Sequence, residues 1–219
     1  MNEPMEENNM LIQVGRQNVP GTEMRRDSVG GVTGMGFLNT VFFVSDGISL
    51  SVLTEASGVE GSTLNNWVKR GYIGVTVNKR YSRDQFARIL IFNMLRETIM
   101  LERIDALLRY LNGCVNNHAE TTVSESVLYD YICKILDKID AKGGRREVDI
   151  PSCIEETISD YQEPVSGAGK RLVAALEIIV TAYSASLLRI KANDLFEGLD
   201  LRVSGEPIAN KLPIIGKKK

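Results

Sequence analysis

Apolar positions recur at helical spacing along most of the chain, and the breaks between them fall at glycine and proline. Leu50, Leu53 and Ala56 make a short stripe that reaches Gly58-Val59, and Leu64, Trp67 and Val68 make a second that stops at Gly71. This predicts helix, tight turn, helix, with Gly58 at a positive-φ corner. Ser62 or Glu60 can accept from the first amides of the second helix. The run Gly74-Val75-Thr76-Val77-Asn78-Lys79-Arg80-Tyr81 alternates β-branched residues around Asn78 and predicts a small hairpin or wing. After it, Ser82 caps a helix with Gln85 as its box partner, and Phe86, Ile89, Leu90, Phe92, Asn93 and Leu95 mark a buried face. A further helix carries Leu101, Ile104, Leu107, Leu108 and Leu111 to a stop at Asn112-Gly113. Before all of these, Phe37 to Val44 is a short apolar segment, helix or strand, expected to pack on the helix-turn-helix.

Beyond Gly113 a polar bridge from Asn116 to Thr122 leads to a predicted helix from about Ser124 to Ala141. An acidic, proline-containing loop from Arg145 to Pro164 follows, with a helical turn around Ile154 to Ile158. The longest predicted helix runs from about Val165 to Phe196. Its apolar residues cover nearly the whole circumference for three turns, so it must be surrounded. Leu172, Leu176, Ile179, Tyr183 and Leu187 are the expected contacts with a second copy. The organisation expected is a flexible arm over 1–36, a DNA-binding unit over 37–113, a helical dimerisation or sensor region over 114–200 and a loose tail over 201–219. The glycines of Gly30-Gly31-Val32-Thr33-Gly34-Met35-Gly36 fit the end of that arm better than a phosphate-cradling loop, because their order is GxxGxG and no strand precedes them.

Charge sharpens this division. The 219 residues carry a net charge of −2, yet from Ser62 to Tyr110 nine basic residues face four acidic ones, so that stretch is +5 and the remainder −7. A basic module sits on an acidic body. The start of the chain has neither a basic n-region nor an apolar h-region, and the stretch from Leu172 to Ile190 is cut by Glu177 and Arg189. A cytoplasmic protein without a membrane span is expected. Cys114, Cys133 and Cys153 are an odd set spread over a long chain and are expected to be free thiols. Cys114-x3-His118 with Cys133 is too loosely spaced to predict a metal site, so no metal and no cofactor are expected. His118 is the one histidine, and it has no nucleophile at a motif spacing. An enzyme is not expected.

A short helix followed by a basic wing is how a small domain reads duplex DNA. The series Leu50, Leu53-Thr54, Gly58-Val59, Ser62-Thr63-Leu64-Asn65-Asn66-Trp67, Arg70-Gly71-Tyr72-Ile73 and Lys79-Arg80-Tyr81-Ser82 resembles the winged helix-turn-helix of the MerR transcription-factor superfamily over about Gly47 to Gly113. Within it, Leu64-Asn65-Asn66-Trp67-Val68-Lys69 and Lys79-Arg80-Tyr81-Ser82-Arg83 are most similar to a group of low-GC Gram-positive bacterial proteins known only as a domain of unknown function. The resemblance implies a mainly α fold with a small β wing and a C-terminal helical body. It also implies a homodimeric DNA-binding transcriptional regulator whose partners are double-stranded DNA and a small-molecule effector. The residues it places on DNA are Ser62, Thr63, Asn65, Asn66, Lys69, Arg70, Lys79, Arg80, Tyr81 and Arg83. Asn65-Asn66 stands where the superfamily carries an Arg-Tyr pair, and Lys79 where it carries the wing arginine. Asparagine can still bond adenine, and the Lys and Arg side chains can neutralise phosphates. Two other readings are an excisionase-like architectural DNA binder and a winged-helix protein-docking module without DNA. Trp67 is expected in the core rather than stacked on a base.

Overall fold

The computed structural model describes residues 17–113, 121–142 and 150–199, and the backbone of 202–203 and 206–207. The fold is mainly helical. In chain order the helices are α1 (Gly34–Val41), α2 (Leu50–Ser57), α3 (Gly61–Lys69), α4 (Arg83–Leu95), α5 (Leu101–Asn112), α6 (Glu125–Ala141), α7 (Ile150–Thr157) and α8 (Ala168–Glu197). Two two-residue strands, β1 (Arg202–Val203) and β2 (Glu206–Pro207), pair antiparallel within the stretch read as a tail.

The centre of the molecule is α4, and its burial exceeds what its periodicity suggested. From Phe86 to Leu95 only Asn93 escapes full burial, because α2, α5, α6 and α8 all pack on it. Its entry is set by the expected capping box, in which the Ser82 hydroxyl accepts from the Gln85 amide and the Gln85 side chain accepts from the Ser82 amide. Aromatic rings fasten neighbours to its two ends. Phe37 and Phe42 lie 6.2 and 6.0 Å from the Phe86 ring, and Trp67 and Tyr72 lie 5.4 and 5.6 Å from the Phe92 ring. Trp67 is therefore core, as expected. One apolar cluster runs from Val19 through α4 to Tyr183, so the helices on the two sides of Gly113 share a core.

The segment from Gln17 to Thr33, read as part of an arm, lies on this body. Val19 is buried, the Tyr129 hydroxyl donates to the Pro20 carbonyl at 2.7 Å, and the Asn93 amide donates to the Gly21 carbonyl at 2.9 Å. One face of α6 holds the rest. Asp137 accepts from Arg26 at 2.7 Å and from the Thr33 hydroxyl at 3.0 Å, and Asp130 accepts from the Met35 amide at 2.7 Å, capping α1 from outside. Gly34 is required here: its φ is +53°, and a Cβ would come within 2.5 Å of the Asp130 carboxylate. The glycine run thus ends in a helix start pressed against α6, and the apolar segment of 37–44 is helix as far as Val41 rather than strand.

Arg88 joins the layers. Its guanidinium is buried and donates to the Tyr72 carbonyl at 2.6 Å, to Asp105 of α5 at 2.8 Å and to Glu125 of α6 at 3.2 Å. Burial pulls its pKa down, and the two carboxylates push it back up. Replacing Arg88 by methionine should cost about 3–5 kcal/mol, because Asp105 and Glu125 would be left without their counter-charge in the interior. Urea unfolding followed by circular dichroism measures this, and a loss below about 1 kcal/mol would show that the network is not the joint it looks like.

Candidate nucleic-acid interface

Helices α2 and α3 form the expected helix-turn-helix. The Ser49 hydroxyl caps α2, and the helix ends at Gly58 with φ +71°, where a Cβ would also meet the Glu23 side chain at 2.8 Å. Glu60 occupies the position before α3, but its side chain makes no capping bond to the helix amides, and the Ser62 hydroxyl donates to it at 3.3 Å. Leu64 and Trp67 turn inward. The opposite face therefore presents Ser62, Asn65, Asn66 and Lys69 to solvent, with Thr63 half-buried at its edge. Asn65, Asn66 and Lys69 make no side-chain hydrogen bond or ion pair among the described residues.

The β wing expected after α3 does not form as strands. Val77 and Arg80 make a single bridge closed by the Arg80 amide on the Val77 carbonyl at 2.9 Å, and Ile48 and Tyr81 make another. The reason is local. The Gln85 side chain takes the Gly74 and Val75 carbonyls at 2.8 and 3.1 Å, so they cannot join a ladder, and Val75 and Val77 stay exposed with no sheet beneath them. What remains is a two-residue turn in which Asn78 and Lys79 both have positive φ, +52° and +58°. That is the geometry of a type I′ turn, where glycine is preferred at the second position. Holding a lysine there is strained.

The basic residues divide once their partners are visible. Arg88 is interior, Arg109 pairs with Asp105, and Arg70 pairs with Glu102 while lying 4.9 Å over the Tyr72 ring. Glu102 also accepts from the Tyr72 hydroxyl at 3.1 Å. Its own backbone amide first, then that hydroxyl and the Arg70 guanidinium, hold its carboxyl below the usual range. Arg80 points back, donating to the Gly47 carbonyl at 2.8 Å, and Arg83 lies 5.7 Å over the Phe42 ring. Four of the residues expected on DNA, Arg70, Arg80, Tyr81 and Arg83, are thus engaged elsewhere. Tyr81 is buried at the base of the turn because its backbone pairs with Ile48, and Arg70 is neutralised by Glu102, whose distance in sequence hid the pair. Among the described residues Lys69 and Lys79 are exposed with no acidic partner, and Arg103 on α5, which the sequence reading did not single out, is another such residue. Phe43 and Val44, almost fully exposed just before α2, were also missed. Their apolar character had pointed to packing.

The residues expected at a dimer contact lie mostly inside their own chain. Leu172, Leu176, Ile179 and Tyr183 are buried in the core of their own chain, and Leu187 is half-buried against it. A side chain already covered by its own fold has no surface left for a second copy. The other half of α8 emerges from the body: Leu188, Ile190, Leu195 and Phe196 are exposed. By length and composition α8 is apolar enough to cross a membrane, contrary to the sequence reading, but its inner face is core. Among the described residues no cluster of three metal-ligating side chains occurs. Cys114 and His118 lie outside them.

These features define two short helices joined at a glycine turn and built into a mainly helical body. Residues 39–132 match a family described as Domain of unknown function (DUF1836), a stretch that runs from α1 through the helix-turn-helix into α6. No curated protein and no solved structure matches the chain.

Cys133 and Cys153 are buried, and burial pushes the Cys133 thiol up to about 12. A thiol held protonated reacts slowly. Peptide mapping after iodoacetamide at neutral pH should find both unmodified in the native protein and labelled in denaturant. Rapid native labelling of Cys133 would show that the thiol is not held buried and protonated.

Proposed function

We propose that this chain is a DNA-binding transcriptional regulator, MerR-like in its helix-turn-helix, with α3 entering the major groove and the turn at Asn78-Lys79 serving as a minimal wing on the phosphate backbone. The observation that carries this reading is the uncommitted polar face of α3, where Asn65, Asn66 and Lys69 are exposed and unpaired while Leu64 and Trp67 anchor the helix. Asn65 and Asn66 have the donor and acceptor pair that matches adenine, and Lys69 and Lys79 supply phosphate neutralisation. The strained turn adds support. Backbone strain at a residue that glycine would relieve is the kind retained where a side chain is needed. The remaining helices would then form the effector-sensing body of a cytoplasmic, non-enzymatic protein that needs no cofactor.

A second reading, a protein-docking module without DNA, is favoured by the exposure of Phe43, Val44, Val75 and Val77 around the same unit.

Selection from a random duplex pool at controlled salt separates the two. Binding should weaken as salt rises, with log K falling by about 0.9 per log unit for each phosphate contact, and Lys69→Ala with Lys79→Ala should flatten that slope. Asn65→Ala or Asn66→Ala should cost about 1–3 kcal/mol on the selected site and little on random DNA. Lys79→Gly should raise stability by up to about 1 kcal/mol while weakening DNA binding, the two effects having opposite sign. Absence of any salt-dependent binding would hand the assignment to the docking module.

A further inference from the structure

The corner where the end of α3 meets the start of α5 is an anion site that the chain fills with its own carboxylate. One oxygen of Glu102 accepts from the Arg70 guanidinium and, at 3.1 Å, from the Tyr72 hydroxyl. The same carboxylate takes the Glu102 backbone amide in the first turn of α5, a helix start to which Met100 contributes no side-chain cap. The core holds these donors in place. The Tyr72 ring is buried and stacks 5.6 Å from Phe92, its carbonyl takes the Arg88 guanidinium, and Arg70 lies 4.9 Å over the ring. A guanidinium fork, a hydroxyl and a helix-start amide are the groups that hold phosphate oxygens. Lys69 and Arg103, the sequence neighbours of the two paired residues, are exposed and have no acidic partner among the described residues. The corner therefore stays positive after Glu102 is counted.

We propose that this corner is a phosphate-binding site, closed in the free protein by the Glu102 carboxylate and opened when a phosphate oxyanion replaces it on Arg70, Tyr72 and the α5 amide. The exchange costs little, because the ion pair is solvent-exposed, with side chains 44% and 60% accessible, and such pairs contribute little. A phosphodiester presents two oxygens to the guanidinium fork as a carboxylate does, with the same single charge. The backbone of duplex DNA is the source that the adjoining face of α3 favours, and that part rests on the DNA reading. Glu102 then lowers the affinity for any duplex without touching a base.

Inorganic phosphate tests the site without DNA. In isotope-labelled Glu102→Gln followed by NMR, replacing chloride by phosphate at constant ionic strength should shift the Arg70 Nε–H and the amide of position 102 to saturation. Wild type should need about fivefold to tenfold more phosphate. Equal titration of the two proteins, or none by Glu102→Gln, would overturn the site. Fluorescence anisotropy on a pooled random duplex then tests the source. Glu102→Gln should bind about fivefold to tenfold more tightly than wild type with an unchanged melting temperature. Arg70→Ala should cost about threefold to fivefold more in the Glu102→Gln background than alone. An equal cost in both backgrounds would reduce the pair to an ordinary surface contact and remove DNA as the ligand. If neither protein binds duplex while phosphate saturates Glu102→Gln, the DNA reading falls and the site stands, with a free phosphate ester as its ligand.

Discussion

A single buried guanidinium connects most of this structure. Arg88 sits buried in the middle of α4, between Ala87 and Ile89, and it is stable there only because Asp105, Glu125 and the Tyr72 carbonyl converge on it from three separate elements. A charge in the interior is costly unless paired and hydrogen-bonded. That cost makes the network selective: α5, α6 and the exit from α3 must each arrive in register or leave an unpaired charge. The arrangement of the helix-turn-helix relative to the helices after Gly113 follows from this requirement as much as from the aromatic contacts on Phe92.

The same logic of satisfied polar groups explains why the outer surface of the helix-turn-helix is so unequal. Where a basic residue finds an acid, as Arg70 does in Glu102 and Arg109 in Asp105, its charge is spent inside the chain. Lys69 and Lys79 find none, and the asparagines of α3 find no bond either. The +5 stretch of sequence therefore contracts to a smaller free surface, carried by the exposed face of α3, the tip of the turn after it and Arg103 on α5.

Helix α8 has two apolar faces with different consequences. One is consumed by the core from Leu172 to Tyr183, and the other runs outward from Ile178 to Leu195. An apolar distribution around the whole helix signals that both faces need cover, but hydropathy alone cannot say which face its own chain provides. Leu172, Leu176 and Ile179, read as contacts with a second copy, lie on the face that the core of their own chain covers.

What the sequence determined by itself was local: the α2–Gly58–α3 corner, the Ser82-Gln85 box, the stops at Gly71 and Gly113, the start of a helix near Ser124 and the burial of Trp67. Each depends on residues within one or two helical turns of one another, whose preferences tertiary contacts did not need to override. What only the tertiary structure decided was the set of interactions across long separations. The Arg88 network, the hold of α6 on residues 26–35, the loss of Arg70 to Glu102 and the diversion of the Gly74 and Val75 carbonyls to Gln85 join residues whose pairing no spacing along the chain encodes. For that reason the helices and their order were legible, the wing was overestimated, and the division of charged and apolar residues between core and free surface had to wait for the packed chain.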